Sequence, residues 1–125
     1  MSSPRPGAGR WIPPVAYSLL LFGLSSIPGA TDDADRSLGR LLVWLPPAVQ
    51  NVLHIPQYAL LSWLWSRAGA TPVVAALLSI AYAVFEEIYQ LSVPGRYGSW
   101  TDLVLDGVGI AIGILWYRRR NRPAP

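Results

Sequence analysis

Two long apolar runs, Pro72–Leu91 and Trp100–Tyr117, are joined through a stretch, Glu86 to Asp106, that carries Glu86, Glu87, Gln90, Arg96, Asp102 and Asp106. No other feature constrains the fold as strongly. A run of about 20 apolar residues has the length a helix needs to cross a bilayer. Ionisable side chains at or inside such spans are rare unless they face a bundle interior or a wet cavity. The chain must therefore turn these charges inward and its apolar faces outward. Composition agrees, since 52% hydrophobic and 14% charged residues in a chain of 125 is too oily for an ordinary soluble domain of this size. A membrane protein is expected.

The remaining chain supplies two further runs. Residues 1–10 are rich in Pro, Gly and Ser and read as a disordered cytoplasmic lead. Residues 11–28 form a first apolar run, short for a span, with Pro13 and Pro14 tolerated in the opening turn where their missing N–H groups are not needed. The Pro28-Gly29-Ala30 sequence is a poor signal-peptide cleavage site, so the run is read as a retained helix. After a polar loop at 29–37, Leu38–Leu45 is too short to span and is expected as an interfacial helix, with Trp44 at headgroup depth. The run from Ala48 to Ser66 carries Gln50, Asn51, His54, Gln57 and Tyr58 on one stripe about 120° wide at 100° per residue. Pro56 should kink this helix near His54. In the last run Asp102, Asp106, Gly109 and Gly113 share one face. The two glycines have the small-x-x-x-small spacing used in membrane helix packing. The fold expected is all-α, an integral membrane four-helix bundle over residues 11–117 with the short interfacial helix between its first two helices, followed by a basic cytoplasmic tail, residues 118–125.

Charge sets the orientation. The ten basic residues are all Arg, against seven acids, for a formal net charge of +3. With four spans both termini share a side, and placing them and Arg67 inward leaves only Arg36, Arg40 and Arg96 outside. The positive-inside rule then puts both ends in the cytoplasm of a multi-pass protein of the inner membrane. The tail cluster Arg118, Arg119, Arg120 and Arg122 suits anionic headgroups. It continues into no basic stripe, so nucleic acid is excluded as a partner. The absence of cysteine excludes disulfide and thiolate chemistry. On this topology His54, Glu86, Glu87, Asp102 and Asp106 all fall in the outer half of the membrane, within roughly 10 Å of one surface at about 1.5 Å per residue.

A histidine among carboxylates in a poorly solvated cleft titrates as a coupled group and suits general acid–base work or proton relay. Arg96 offers a bidentate fork for phosphate or carboxylate. One His with several carboxylates favours a hard cation over zinc, but no ligand spacing demands an ion, and neither metal nor cofactor is assigned.

The pattern Glu86-Glu87-x-x-Gln90, Pro94-Gly95-Arg96, Ser99-x-x-Asp102 and Gly109-x-x-x-Gly113, with His54-x-x-x-Tyr58 and Leu24-Ser25-Ser26-x-Pro28 upstream, resembles the VanZ-like family of small bacterial membrane proteins over about residues 15–117. Three departures accompany it. Gln50-Asn51 stands where the family usually has Asp-Lys, Glu86-Glu87 where it has Asp-Glu, and Asp106 where it has Asn. The resemblance implies a link to low-level resistance to the glycopeptide teicoplanin. It also carries His54, Tyr58, Glu87, Gln90, Arg96, Ser99 and Asp102 over as the polar residues. Helix geometry leaves Glu86 and Glu87 both able to share a face with Gln90, at about 40° and 60° from it. Asp106, an acid where the family has an amide, carries no assigned role.

The expectation is an outward-facing polar cleft that binds or acts on an anionic lipid or lipid-linked cell-wall intermediate. In it His54, Glu87 and Asp102 do the chemistry, and Arg96, Gln90, Tyr58, Ser99 and Glu86 bind. Membrane lipids are the partners, and a homo-oligomer is allowed. The rival expectation is a non-catalytic membrane protein that binds a lipid, an antibiotic or a partner protein, its polar network serving helix packing. A proton-coupled transporter is a weaker third, because four helices in one chain must oligomerise to enclose a path.

Overall fold

The computed structural model describes residues 7–28 and 47–122. Among these residues there are four α-helices and no strand: α1 (Ile12–Ser25), α2 (Pro47–Arg67), α3 (Pro72–Gln90) and α4 (Trp100–Arg120). The expected interfacial helix at 38–45 and its preceding loop lie outside the described residues. Ala8–Trp11 form a 3-10 turn leading into α1, overlapping the last residues of the lead, 1–10, that the sequence reads as disordered.

Local chemistry explains the helix limits. α1 admits Pro13 and Pro14 in its first turn, where no backbone donor is lost. Thr71 caps α3, its Oγ1 accepting from the Val74 N–H at 3.3 Å, and Pro72 follows as the first helical residue. Ser99 caps α4, its Oγ accepting from the Thr101 N–H at 3.2 Å, with Asp102 in the first turn where the helix dipole favours an acid. α2 runs through Pro56 as one helix.

Two helices, Pro72–Gln90 and Trp100–Arg120, are long and apolar enough to cross a membrane. The other two fall short for physical reasons: α1 has 14 residues, and α2 carries the polar stripe of Gln50, Asn51, His54 and Gln57. The distribution of side chains fits a membrane protein. Leu77, Ile88 and Val104 are exposed at 61%, 64% and 66%, whereas Asp106 is 1% exposed and Ser62 and Ser79 are fully covered. A water-soluble bundle hides its apolar surface and seldom exposes large apolar patches. Here the apolar groups face out and the polar groups face in.

α4 packs most extensively on α2, and α1 rests on α2 and α3. Gly109 and Gly113 make the α2–α4 approach possible: a Cβ at either would run into the backbone carbonyl of Ile55 or Ala59 respectively. The exposed backbone is used as well, since Ser62 Oγ of α2 donates to the Ile110 carbonyl of α4 at 3.0 Å. α1 is tied to its neighbours by tyrosines. Tyr82 of α3 donates to the Ser18 carbonyl at 2.6 Å, and the Ser26 and Tyr89 hydroxyls meet at 3.0 Å.

Candidate functional site

The polar cluster forms where the C-terminal end of α3, the first turns of α4 and the first half of α2 converge. The buried face of α3, which starts with Ala75, Ser79 and Ala83, ends in Glu86, Glu87 and Gln90. Small residues give the helix a close fit to its neighbours until, in its last turn, that face becomes acidic. Glu86 accepts hydrogen bonds from the Ser25 hydroxyl of α1 and from the Tyr58 hydroxyl of α2 at 2.5 Å. One carboxylate thus links three helices.

Glu87 is held differently. After α3 the chain turns through Pro94-Gly95, with Gly95 at φ 73°, a left-handed conformation that costs glycine little. The return brings the Ser99 N–H to Glu87 Oε2 at 2.7 Å. Gly98 leaves room for this, because a Cβ there would lie 3.1 Å from the Glu87 carbonyl oxygen. From Ser99 the chain enters α4, whose buried face carries Asp102 and Asp106 ahead of the two packing glycines. The close approach to α2 then sets His54 against Asp106, Nδ1 to Oδ1, at 2.8 Å. This is an ion pair whenever the imidazole is protonated. One side-chain nitrogen or oxygen from each of His54, Glu87 and Asp106 lies within 4.8 Å of the other two. Asp102 stands one turn before Asp106, 8% exposed, and its Oδ1 has no hydrogen-bond partner.

A cleft of about 260 Å³ opens beside the cluster, with Ser25, His54, Glu86, Gln90, Arg96 and Asp102 among its walls. Arg96 forms part of the rim. Its Nε donates to the Ile27 carbonyl at 3.1 Å and its Nη2 to the Leu24 carbonyl at 3.3 Å, so it closes the end of α1 with part of its fork. A guanidinium has five N–H donors, and those not used here remain for an anion. Burial pulls the Arg96 pKa below its ordinary value, with the Glu86 carboxylate opposing that shift.

The sequence-expected residues divide in three. His54 and Glu87 come together with Asp102 beside them, and Glu86, Gln90 and Arg96 line the cleft. Tyr58 and Ser99 do not act as wall groups: Tyr58 is 1% exposed and sits behind Glu86. The Ser99 hydroxyl is occupied as the cap of α4, and it is the Ser99 backbone N–H that meets Glu87. Glu86 and Glu87 are both buried, at 5% and 7% exposure, and of the two it is Glu86 that lines the cleft.

Two residues were not given their roles by sequence. Asp106, left without one because the family pattern expects an amide there, is the direct partner of His54. Ser25 was noted only as part of the α1 ending. The signal for Asp106 was its spacing of one turn from Asp102. Ser25 offered none beyond its place near the end of an apolar helix.

A model of the VanZ/LLP1 family matches residues 7–121, nearly the whole chain. No curated protein and no solved structure is found to match.

Proposed function

This chain belongs to the VanZ/LLP1 family, and from that premise we propose that it is a multi-pass protein of the bacterial inner membrane whose polar cleft opens outward and takes up an anionic lipid or a lipid-linked cell-wall intermediate. In this reading all four helices cross the membrane and both termini are cytoplasmic, as the Arg distribution favours. The observation that carries it is the cleft itself, with a guanidinium at the rim and a paired histidine and carboxylates inside. An anionic headgroup meets Arg96 first, since an arginine fork with unspent donors recognises phosphate or carboxylate.

Asp106 orients the His54 ring through Nδ1 and leaves Nε2 to take or give a proton, the arrangement by which a carboxylate positions an imidazole for base catalysis. Glu87, fixed by the Ser99 N–H, is the second proton-handling group, and Asp102 adds negative charge beside them. A contribution to glycopeptide resistance, teicoplanin in particular, follows if the anionic ligand belongs to cell-wall synthesis.

A second reading has a specific observation in its favour. Glu86 is committed to cross-helix hydrogen bonds with Ser25 and Tyr58, as a packing element would be. On that reading the protein binds a lipid, an antibiotic or a partner protein without catalysis.

His54→Ala and Glu87→Gln, made separately in the expressing bacterium, discriminate the two. The proton-handling reading expects both variants to accumulate to parental levels and to lose glycopeptide protection. Accumulation with full protection rejects it in favour of binding alone.

A further inference from the structure

Four carboxylates, those of Glu86, Glu87, Asp102 and Asp106, are buried in one corner of the bundle, each less than 9% exposed. Their counter-charge is thin. The His54–Asp106 contact is the only ion pair among the described residues, and Arg96 spends two donors on the carbonyls of α1. Buried carboxylates are costly unless they are paired with cations, coordinate metals or are neutralised by protons. Glu86 has two hydroxyl donors, which leaves Glu87, Asp102 and Asp106 facing His54.

The spacing of that group matches a single ion. The three atoms from His54, Glu87 and Asp106 lie within 4.8 Å of one another. Metal–oxygen bonds of about 2.1 to 2.6 Å put ligand atoms of one hard divalent cation about 3 to 5 Å apart. The 2.8 Å separation of His54 Nδ1 and Asp106 Oδ1 is that of a hydrogen bond, just short of the spacing of two adjacent ligands. Beside them, the unpartnered Asp102 Oδ1 belongs to the wall of the same cleft as His54. This is an independent sign that the cluster lacks a positively charged member. Oxygen-rich sets select Mg²⁺, Mn²⁺ or Ca²⁺, and the one imidazole favours Mn²⁺ among these.

We propose that His54, Glu87 and Asp106, with Asp102 at their edge, bind a hard divalent cation of the Mn²⁺ class beside the cleft. No local spacing in the sequence points to this metal site, because the three ligands come from three helices. Cation and proton compete for the Glu87 carboxylate, so Glu87 carries a proton only in the cation-free form. With the ion bound, an anionic headgroup would be held between the cation and Arg96.

The inference rests on side-chain placement and is independent of the substrate read above, so its test uses no lipid. The full chain, purified in dodecyl maltoside and stripped with a chelator, is titrated with Mn²⁺ while the six-line electron paramagnetic resonance signal of the free ion is followed. One Mn²⁺ should be taken up per chain. Glu87→Gln and Asp106→Asn, which keep side-chain shape, should each weaken uptake by about 100-fold or more and Asp102→Asn by about tenfold, the scale on which ligands and their supporting groups act. Gly107→Ala, on the same helix as Asp106 but with nothing within 4 Å of an added Cβ, should bind as the parent does. Circular dichroism of each variant verifies that the helices are formed. If the folded parent takes up no Mn²⁺, protons neutralise the carboxylates and the proposal fails. It fails equally if Glu87→Gln and Asp106→Asn bind like the parent, or if Gly107→Ala loses as much affinity as they do.

Discussion

At the scale of single residues, the chain spends its polar side chains in pairs that each hold two or three helices. Glu86 joins Ser25 and Tyr58, His54 joins Asp106, and Glu87 receives the turn at Ser99. Removing one hydroxyl from the first set leaves a buried carboxylate short of a donor, which costs about 1–3 kcal/mol. Tyr58→Phe should therefore lower the thermal unfolding temperature in detergent while leaving the helical content unchanged. Adding Ser25→Ala should give a loss different from the sum of the two, because both donors serve one carboxylate. Additive losses would mean that the two hydroxyls act separately. Most of these residues could be selected from sequence, since charged groups in an apolar chain are conspicuous. Their partners could not, because pairing His54 with Asp106 requires the relative rotation of α2 and α4. That depends on glycine packing rather than on any local pattern. The family resemblance also drew attention away from Asp106, by expecting an amide at that position.

At the scale of elements, sequence signals located the helices well. Pro13-Pro14 and Pro72 mark helix starts, and Arg67-Ala68-Gly69 and Pro94-Gly95 mark breaks, because these residues act through the backbone they themselves occupy. The expected runs 48–66, 72–91 and 100–117 correspond to Pro47–Arg67, Pro72–Gln90 and Trp100–Arg120. The glycine spacing on α4 was readable as packing, although its partner was not. The structure supplies the carbonyls of Ile55 and Ala59 on α2. Gly109→Ala must push the two helices apart, and inserting a methyl into such a contact costs about 1–3 kcal/mol. It should destabilise the protein and, by moving α2, loosen the His54–Asp106 contact. Gly107→Ala on the same helix, where nothing lies within 4 Å of an added Cβ, should be neutral or stabilising by up to about 1 kcal/mol from helix propensity. Thermal unfolding of the two variants side by side checks this, and equal behaviour would contradict the α2–α4 packing described above.

At the scale of the whole molecule, a buried polar cluster beneath an exposed apolar surface fits a lipid surrounding, and α3 and α4 have the length and apolarity for it. In the proposed function the mouth of the cleft, with Arg96 and Tyr97 at its rim, would face away from the cytoplasm and the Arg-rich end of α4 into it. The chain has no cysteine, so single cysteines report their own position without background. Gly95 is unsuitable because its positive φ disfavours a side chain, whereas Tyr97, 85% exposed, tolerates replacement. The most direct test of an outward-facing cleft is to treat intact cells carrying Tyr97→Cys or Asn121→Cys with a membrane-impermeant maleimide. Labelling of Tyr97→Cys with protection of Asn121→Cys until the cells are lysed is the expected result. The opposite pattern would put the cleft on the cytoplasmic face and contradict the account.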